Sequence, residues 1–344
     1  MILLHQPKVS VIWLNYNSSC IEELVKLSLD SIMSLNYLNF ELIVVDNGSN
    51  DNSYDFIQKH FSKMGEKKCT ELKICRLKKN TGFTGGINAG FRIINIESEY
   101  VFLVNNDAIL FNDALTRLVS ALEADEKIGA AQGIVLERSG NRIDSAGGII
   151  DELLRSNLIR NKEYPCFENN LEVSFVEGTL PIYRITAIKK FYKDCIFLQE
   201  GFIFYLDDVL NGLLLWNLDY KCITFPFIIG RHSRGSTLKK NETDSFLTYL
   251  LWRNRVALLN ITNTKFKRAE ILFEIRNILI SIYSMNFSQL NSIIKGIISG
   301  KLLGRHLKSR FSNINIYKCP IIYVDIKSIL FTEVIKKLRN KKYI

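Results

Sequence analysis

Four short apolar runs, at 9–15, 41–45, 72–77 and 100–104, alternate with stretches that read as helices, and this spacing most narrows what the chain can fold into. The run at 9–15 is continuously apolar, built on Val, Ile and Trp, which is the pattern of a strand buried on both faces of a parallel sheet. Parallel strands need a crossover between them, and the gaps here suit one helix each. The expected class is therefore α/β, a mainly parallel twisted sheet flanked by helices. Ser19 stands three residues before Glu22, a capping-box spacing that predicts a helix through Leu24, Leu27 and Ile32.

Each run ends on polar groups. The first ends in Asn15, Tyr16 and Asn17, the second in Asp46 followed by the turn-forming 47–51, and the fourth in Asn105, Asn106 and Asp107. Open α/β sheets place their ligands at the carboxyl ends of strands. Asp107 there suits a hard divalent cation shared with a diphosphate, and the same triplet also suits a capped turn. Between the third and fourth runs, residues 80–90 carry Gly82, Gly85, Gly86 and Gly90 ahead of an expected helix at 91–96. That spacing fits either a tight turn or a loop that brings backbone N–H groups to phosphate. It is neither a Walker A loop nor the Gly-x-Gly-x-x-Gly of dinucleotide folds.

Farther on, a capped helix is expected from Asn112, a strand at 128–136, a polar irregular segment at 139–170 that could cover a site, and a strand or strand edge at 175–184. The aromatic run 202–205 leads into Asp207 and Asp208 and then an amphipathic helix. Two acids there complement a helix dipole, or one of them serves as a general base. His232 follows an apolar run and lies in an expected basic, Gly-containing loop with Arg231, Arg234 and Gly235. It suits a metal or phosphate contact, or a structural role.

These blocks resemble, in order, the motifs of inverting nucleotide-sugar glycosyltransferases of family 2, especially the rhamnosyltransferase-like branch. Residues 9–17 look like the family's opening strand with Asn-Tyr-Asn, 45–51 its Val-Asp-Asn-Gly-Ser-x-Asp turn, and 80–90 its Asn-x-Gly-Phe-x-Gly-Gly-x-Asn-x-Gly segment. Residues 103–107 match the Leu-x-Asn-x-Asp form of its metal motif. Tyr205, Asp207, Asp208 and Val209 fall on Tyr-x-Glu-Asp-Val, and Tyr220 with Lys221 on Gly-Tyr-Lys. His232, Gly235 and Ser236 fall on His-x-x-Gly-x-Ser, and Arg253 with Asn254 on an Arg-Asn pair. The resemblance covers about residues 8–260.

It implies a GT-A type fold with a nucleotide-sugar-binding half at 1–110, an acceptor and catalytic-base half at 111–260, and a basic, mainly helical extension at 261–344. It further implies transfer of one sugar, with inversion, from a nucleotide-sugar donor to a hydroxyl of a lipid-linked or polysaccharide acceptor. The branch points to dTDP-rhamnose or a UDP-sugar. Donor contacts are then implied for Asn15, Asn17, Asp46, Asn80, Gly82, Gly85, Gly86, Asn88 and Asn105. Asp107 and His232 would hold Mg²⁺ or Mn²⁺, Asp208 would be the base, and Asp207, Arg253 and Asn254 would support it. Departures from the pattern are Asp207 for Glu, Leu210 for Asp, Leu214 for Arg, Asp219 for Gly, and Gln199 where Asp is common. A sugar-phosphate nucleotidyltransferase is the alternative, although such enzymes carry a basic Gly-rich loop where Asn15, Tyr16 and Asn17 stand; a non-catalytic nucleotide-sugar-binding homologue is another.

Charge separates the tail from the rest. The chain carries a net +10; residues 261–344 hold 16 Lys and Arg against 4 Asp and Glu, a net +12, which leaves −2 for residues 1–260. With a slightly acidic catalytic portion and no nucleic-acid motif, nucleic-acid binding is not expected. Polar residues through 277–294 argue against a membrane span and for amphipathic helices, which either pack on the protein or rest on an anionic membrane surface. His5, Gln6, Pro7 and Lys8 interrupt any signal-peptide core. Seven single cysteines without Cys-x-x-Cys spacing fit a reducing compartment. The expected location is the cytoplasm, at the inner face of the membrane if the tail binds it.

Overall fold

The structure, a computed structural model, describes residues 6–64, 71–192, 196–236, 243–267, 278–279, 281–283, 287–311 and 313–325. The end of the expected basic extension and part of the run 277–294 lie outside them.

Its sheet begins with β1 (Val9–Asn15), β2 (Phe40–Asp46), β3 (Glu71–Arg76) and β4 (Tyr100–Asn105), which lie parallel in the order β3-β2-β1-β4. Register sets Asn15 beside Asp46 and Leu14 beside Asn105, so the polar strand ends meet along one edge. The alternation of side chains across each strand divides the interior in two. Val11 and Trp13 pack with Val25, Leu29 and Ile32 of α1 (Glu22–Met33), whereas Ile12, Ile43 and Val45 pack on the opposite face.

Beyond β4 the sheet is mixed. The short β5 (Ala108–Leu110), the long β6 (Ile128–Glu137) and the short β7 (Ile143–Ser145) precede a separate small sheet made by β8 (Gly148–Asp151) and β9 (Ser156–Leu158). Two more short strands, β10 (Leu171–Glu172) and β11 (Ile182–Arg184), return to the main sheet, and β11 runs antiparallel between β4 and β6. The 12-residue β12 (Lys221–His232) is parallel to β6 and antiparallel to β5, and β13 (Ile321–Ile322) adds the tail to β8.

Several local expectations change. The residues 139–170, expected to be irregular, contain β7, β8 and β9, and of 175–184 only Ile182–Arg184 is strand. Ser19 does not cap α1: it opens a 3-10 turn, Ile21 occupies the N-cap without a side-chain hydrogen bond, and the Ser19 N–H donates to Asp51 instead. After α2 (Ser53–Met64), the Gly-rich segment is itself α3 (Gly82–Phe91), and all of 91–96 but Phe91 lies past its end. The glycines serve contact with the sheet. A Cβ on Gly86 would sit 2.6 Å from Leu14, and one on Gly90 would sit 2.8 Å from Ile12.

After α4 (Ala114–Glu123) and the single turn α5 (Ile185–Ile188), α6 (Asp207–Asn217) packs its apolar side on the same core as α3. Leu210 and Leu214, which stand where the resemblance expects Asp and Arg, are both buried there in the apolar core. Asp219, which stands where it expects Gly, adopts φ +61°, the left-handed region Gly favours. Finally α7 (Thr243–Ile261) pairs with α8 (Phe287–Lys308). Gly296, Gly300 and Gly304 bring α8 close: a Cβ on Gly300 would meet the Arg253 carbonyl at 2.5 Å.

Candidate active site

The register of β12 against β5 sets His232 opposite Ala108, and the Ser233 N–H donates to the Asp107 carbonyl at 3.0 Å. His232 is thus not in a loop, as expected, but is the buried last residue of a strand. Its ring lies between two buried carboxylates, with Nε2 3.0 Å from Asp107 Oδ1 and Nδ1 2.7 Å from Asp144 Oδ2. Burial disfavours a charged imidazole, but the hydrogen bonds and charges of Asp107 and Asp144 outweigh it and raise the ring to about 9.

Asp144 belongs to β7 and was invisible in the sequence, where it sits in a segment without period. It also accepts from Arg234 Nε at 2.9 Å, and Arg234 Nη1 pairs with Glu177 at 2.8 Å. Burial raises the Asp144 carboxyl, but His232 and Arg234 hold it below its ordinary value. The run Asp107, His232, Asp144, Arg234, Glu177 is one line of charge-assisted contacts of alternating sign.

Glu177 leads on to the two acids of α6. Burial, then the neighbouring Asp207 and Glu177, push the Asp208 carboxyl well above its ordinary value, although it accepts the Val209 N–H at 2.8 Å. Burial raises Asp207 to about 6. Asp207 is buried, and Asp208 is the more accessible of the two. Around this line Glu177 Oε2, Gln199 Oε1 and Ser233 Oγ are buried with no hydrogen-bond partner among the described residues. Such atoms cost about 1–3 kcal/mol each unless something occupies the space before them.

The segment before Asp208 is unusual. Ile203, Tyr205 and Leu206 have φ of +64°, +69° and +62°, a conformation that non-glycine residues adopt only when their surroundings impose it. Two elements, α7 and α3, do so. Arg253 Nη2 donates to the carbonyls of Gly201 and Phe202, and Asn254 Nδ2 lies within 2.9 Å of those of Phe202, Phe204 and Tyr205. Asn88 of α3 accepts from the N–H groups of Phe197 and Leu198 and donates to the Leu198 carbonyl. The Thr84 N–H, at the start of α3, donates to the Ile203 carbonyl at 3.1 Å. That helix start therefore meets the loop before Asp208, and Asn88, fully buried, holds the same loop.

At the sheet edge, Asn15 joins the strand ends. Its amide donates to Asp46 at 3.1 Å, and its Oδ1 accepts from Asn106 at 3.0 Å and Ser18 at 2.5 Å. Asp46, fully buried, also accepts from Ser49 and lies 3.6 Å from Arg76 Nε, while Asn17 accepts the Asn50 N–H. A cavity of about 340 Å³ opens beside them, lined by Gly48, Ser49, Arg76, Leu77 and Lys78. Asn47, which sequence reasoning passed over as a turn residue, donates to Asn80 Oδ1 and the Gly82 carbonyl and accepts from Thr81, tying the second strand's end to α3. Gly85 packs on Thr81, and Asn105 ends β4, its carbonyl accepting from Ser28 Oγ at 3.3 Å.

Asp107 Oδ1 and His232 Nε2 bond each other at 3.0 Å, so a cation held by both would take the place of the proton between them, and Asp144 on Nδ1 is the kind of outer partner that orients a metal-binding imidazole. The pair fits a divalent cation whose remaining positions are filled by oxygens from a ligand or water. Among the described residues no group of three or more His, Cys, Asp and Glu could hold a metal ion on its own.

The chain is 30% identical over 122 residues, 34% of its length, to the poly-beta-1,6-N-acetyl-D-glucosamine synthase of Staphylococcus epidermidis, and the match spans only 26% of that protein's length. To an uncharacterized glycosyltransferase of Nostoc sp. it is 26% identical over 203 residues, 57% of the chain and 60% of the relative. The mannosyltransferase PcManGT from Pyrobaculum calidifontis, solved with GDP-Man and Mn²⁺, superposes with a TM-score of 0.52 at 16% identity, covering 97% of this chain and 81% of that one. The fold is therefore GT-A, a mixed α/β sheet flanked by helices with a helical C-terminal extension. Residues 10–191, more than half of the sequence, match the profile described as "Glycosyl transferase family 2", and the chain belongs to that family.

Proposed function

We propose that this chain is an inverting glycosyltransferase that moves one sugar from a nucleotide-sugar to a hydroxyl of a lipid-linked or polysaccharide acceptor. The observation that carries the reading is the line of charge-assisted contacts from Asp107 and His232 through Asp144 and Arg234 to Glu177, whose charge in turn raises Asp208. On this reading Asp107 and His232 hold the diphosphate and Asp208 accepts the proton of the acceptor. The base and ribose of the donor belong at Asn15, Asn17, Asp46 and Asn105, beside the 340 Å³ cavity, and its diphosphate at Asp107 and His232. Asp107 and His232 would hold Mg²⁺ or Mn²⁺, which would supply positive charge to stabilise the leaving diphosphate. Asn47, Asn80 and the α3 glycines hold the wall between them, and Asn88 holds the loop that presents the base.

The chemistry is a single displacement. As the acceptor oxygen bonds the anomeric carbon, its proton passes to the Asp208 carboxylate and the bond to the diphosphate oxygen breaks, which inverts the centre. Asp208 suits this because its raised affinity for a proton makes it a stronger base than an exposed Asp. The family and the Mn²⁺ and GDP-Man of the mannosyltransferase support the reading; the resemblance to rhamnosyltransferases suggests dTDP-rhamnose, or a UDP-sugar, as donor.

The test is release of nucleoside diphosphate from a panel of UDP-, dTDP- and GDP-sugars with Mg²⁺ or Mn²⁺. One donor turned over in a metal-dependent manner is the expected result. Pyrophosphate release from a nucleoside triphosphate and a sugar phosphate would instead make the protein a nucleotidyltransferase, and donor binding without turnover would make it a binding homologue.

A further inference from the structure

We propose that the outer face of α8 is a docking surface for an anionic lipid bilayer. α8 is two-sided. Ser292, Gly296, Gly300 and Gly304 are buried toward α7, so this side is occupied by protein. On the other side Ile294, Ile298 and Leu302 recur at every fourth residue and are 40%, 57% and 60% exposed. That spacing makes one apolar spine.

Charge identifies the occupant. Exposed Lys295, Lys301 and Arg305 flank the spine within one turn. Acidic residues are absent from the whole segment between Glu274 and Asp325, which holds seven Lys and Arg. An apolar spine bordered by basic side chains is the pattern of a helix lying in a membrane interface, with its apolar residues among acyl chains and its ammonium groups at anionic headgroups. A second copy of the same face would bring like charges together, and a polynucleotide would leave the spine in water. Among the described residues no helix is long and apolar enough to cross a membrane, so the contact lies along the surface.

The surface is joined to the site. Gly300 of α8 lies directly against Arg253 of α7, the side chain that holds the carbonyls of Gly201 and Phe202 in the loop before Asp208. A bilayer under α8 would therefore present headgroup-linked hydroxyls on the side of the molecule that carries the base. This deepens the transferase reading by favouring a lipid-linked over a free polysaccharide acceptor, and it rests on that reading for the acceptor alone. Vesicle binding is measured without any sugar transfer, so the two can fail separately.

The test is flotation of the full chain with phosphatidylcholine vesicles, with and without phosphatidylglycerol, at rising salt. The expected result is flotation with the phosphatidylglycerol vesicles only, weakening as salt rises. Ile298→Glu with Leu302→Glu abolishes it, and Lys301→Gln and Arg305→Gln each lower the partition coefficient about fivefold. All these residues are exposed, and unchanged circular dichroism and thermal unfolding show that the variants fold. No flotation, or flotation that the variants leave unchanged, overturns the proposal. So does a sedimentation velocity run in which the wild type is a dimer and the Ile298→Glu, Leu302→Glu variant a monomer, which assigns the face to a second copy. Retention on an oligonucleotide column but not on vesicles overturns it in favour of nucleic acid.

Discussion

Asp144 Oδ2 lies 2.7 Å from His232 Nδ1, and this contact fixes the direction in which Nε2 faces Asp107. Arg234 holds Asp144 in turn, so the geometry of the proposed cation site is set by β7 and β12 rather than by the strand-end triplet 105–107 alone. Asp144→Asn should keep the shape and lose the charge. Its expected effect is a fall of about 10–100-fold in Mn²⁺ affinity in the presence of nucleoside diphosphate, read from the electron paramagnetic resonance of free Mn²⁺. An unchanged affinity would mean that His232 is not oriented through Asp144.

The same ring makes the metal-free protein sensitive to pH. His232 is raised from 6.5 to about 9 by its two carboxylate partners, so the folded state binds its proton more tightly than the unfolded chain. The resulting stability is complete below pH 6.5 and is lost as pH rises through 9. Its size is on the order of 3 kcal/mol. Urea unfolding in the presence of chelator should show this decline in the wild type and a shallower one in Asp144→Asn. Equal slopes would remove Asp144 from the coupling.

Asp208→Asn should lower transfer by about 10²–10⁴-fold or more while leaving donor binding intact, because an amide cannot take the acceptor proton. Burial, Asp207 and Glu177 all raise Asp208, so the rate should fall as pH is lowered through a midpoint above the ordinary Asp range. Asp207→Asn removes one of those neighbouring charges and should move this acid limb to lower pH. A rate profile identical to wild type, or full turnover by Asp208→Asn, would take the base assignment away from this pair.

Much of the architecture is legible in the sequence because its signals are local. The apolar run 9–15 and the polar residues that end it mark a buried strand and a sheet edge, and Asp207 and Asp208 mark the start of α6. What is not legible depends on pairing between distant segments. His232 reads as a loop residue until β5 is seen to pair with β12, and Asp144 has no signal at all apart from an acid set between Ile143 and Ala146. The Gly-rich segment misleads for a different reason: glycine suggests a loop by its conformational freedom, whereas Gly86 and Gly90 are there because a larger side chain would strike Leu14 and Ile12.

Asn254 is the position where fold and chemistry are hardest to separate. It is fully buried, it lies on α7 rather than on α6, and its amide nitrogen lies within 2.9 Å of the carbonyls of Phe202, Phe204 and Tyr205. Those carbonyls belong to a segment with left-handed Ile203, Tyr205 and Leu206, a conformation that costs about 1–3 kcal/mol per residue and persists only where its surroundings impose it. Asn254→Ala removes the side-chain donor of the Phe204 and Tyr205 carbonyls, while that of Phe202 keeps Arg253, so a loss of about 1–3 kcal/mol in unfolding free energy is expected. The functional effect should be selective. Relaxation of the loop moves Asp208 away from the acceptor, which lowers kcat, whereas Asp107, His232 and the strand-end residues stay where the sheet holds them. Calorimetric titration with nucleoside diphosphate and Mn²⁺ should therefore give the wild-type affinity. If that affinity falls in step with kcat, the loop supports the whole cleft and not the base alone.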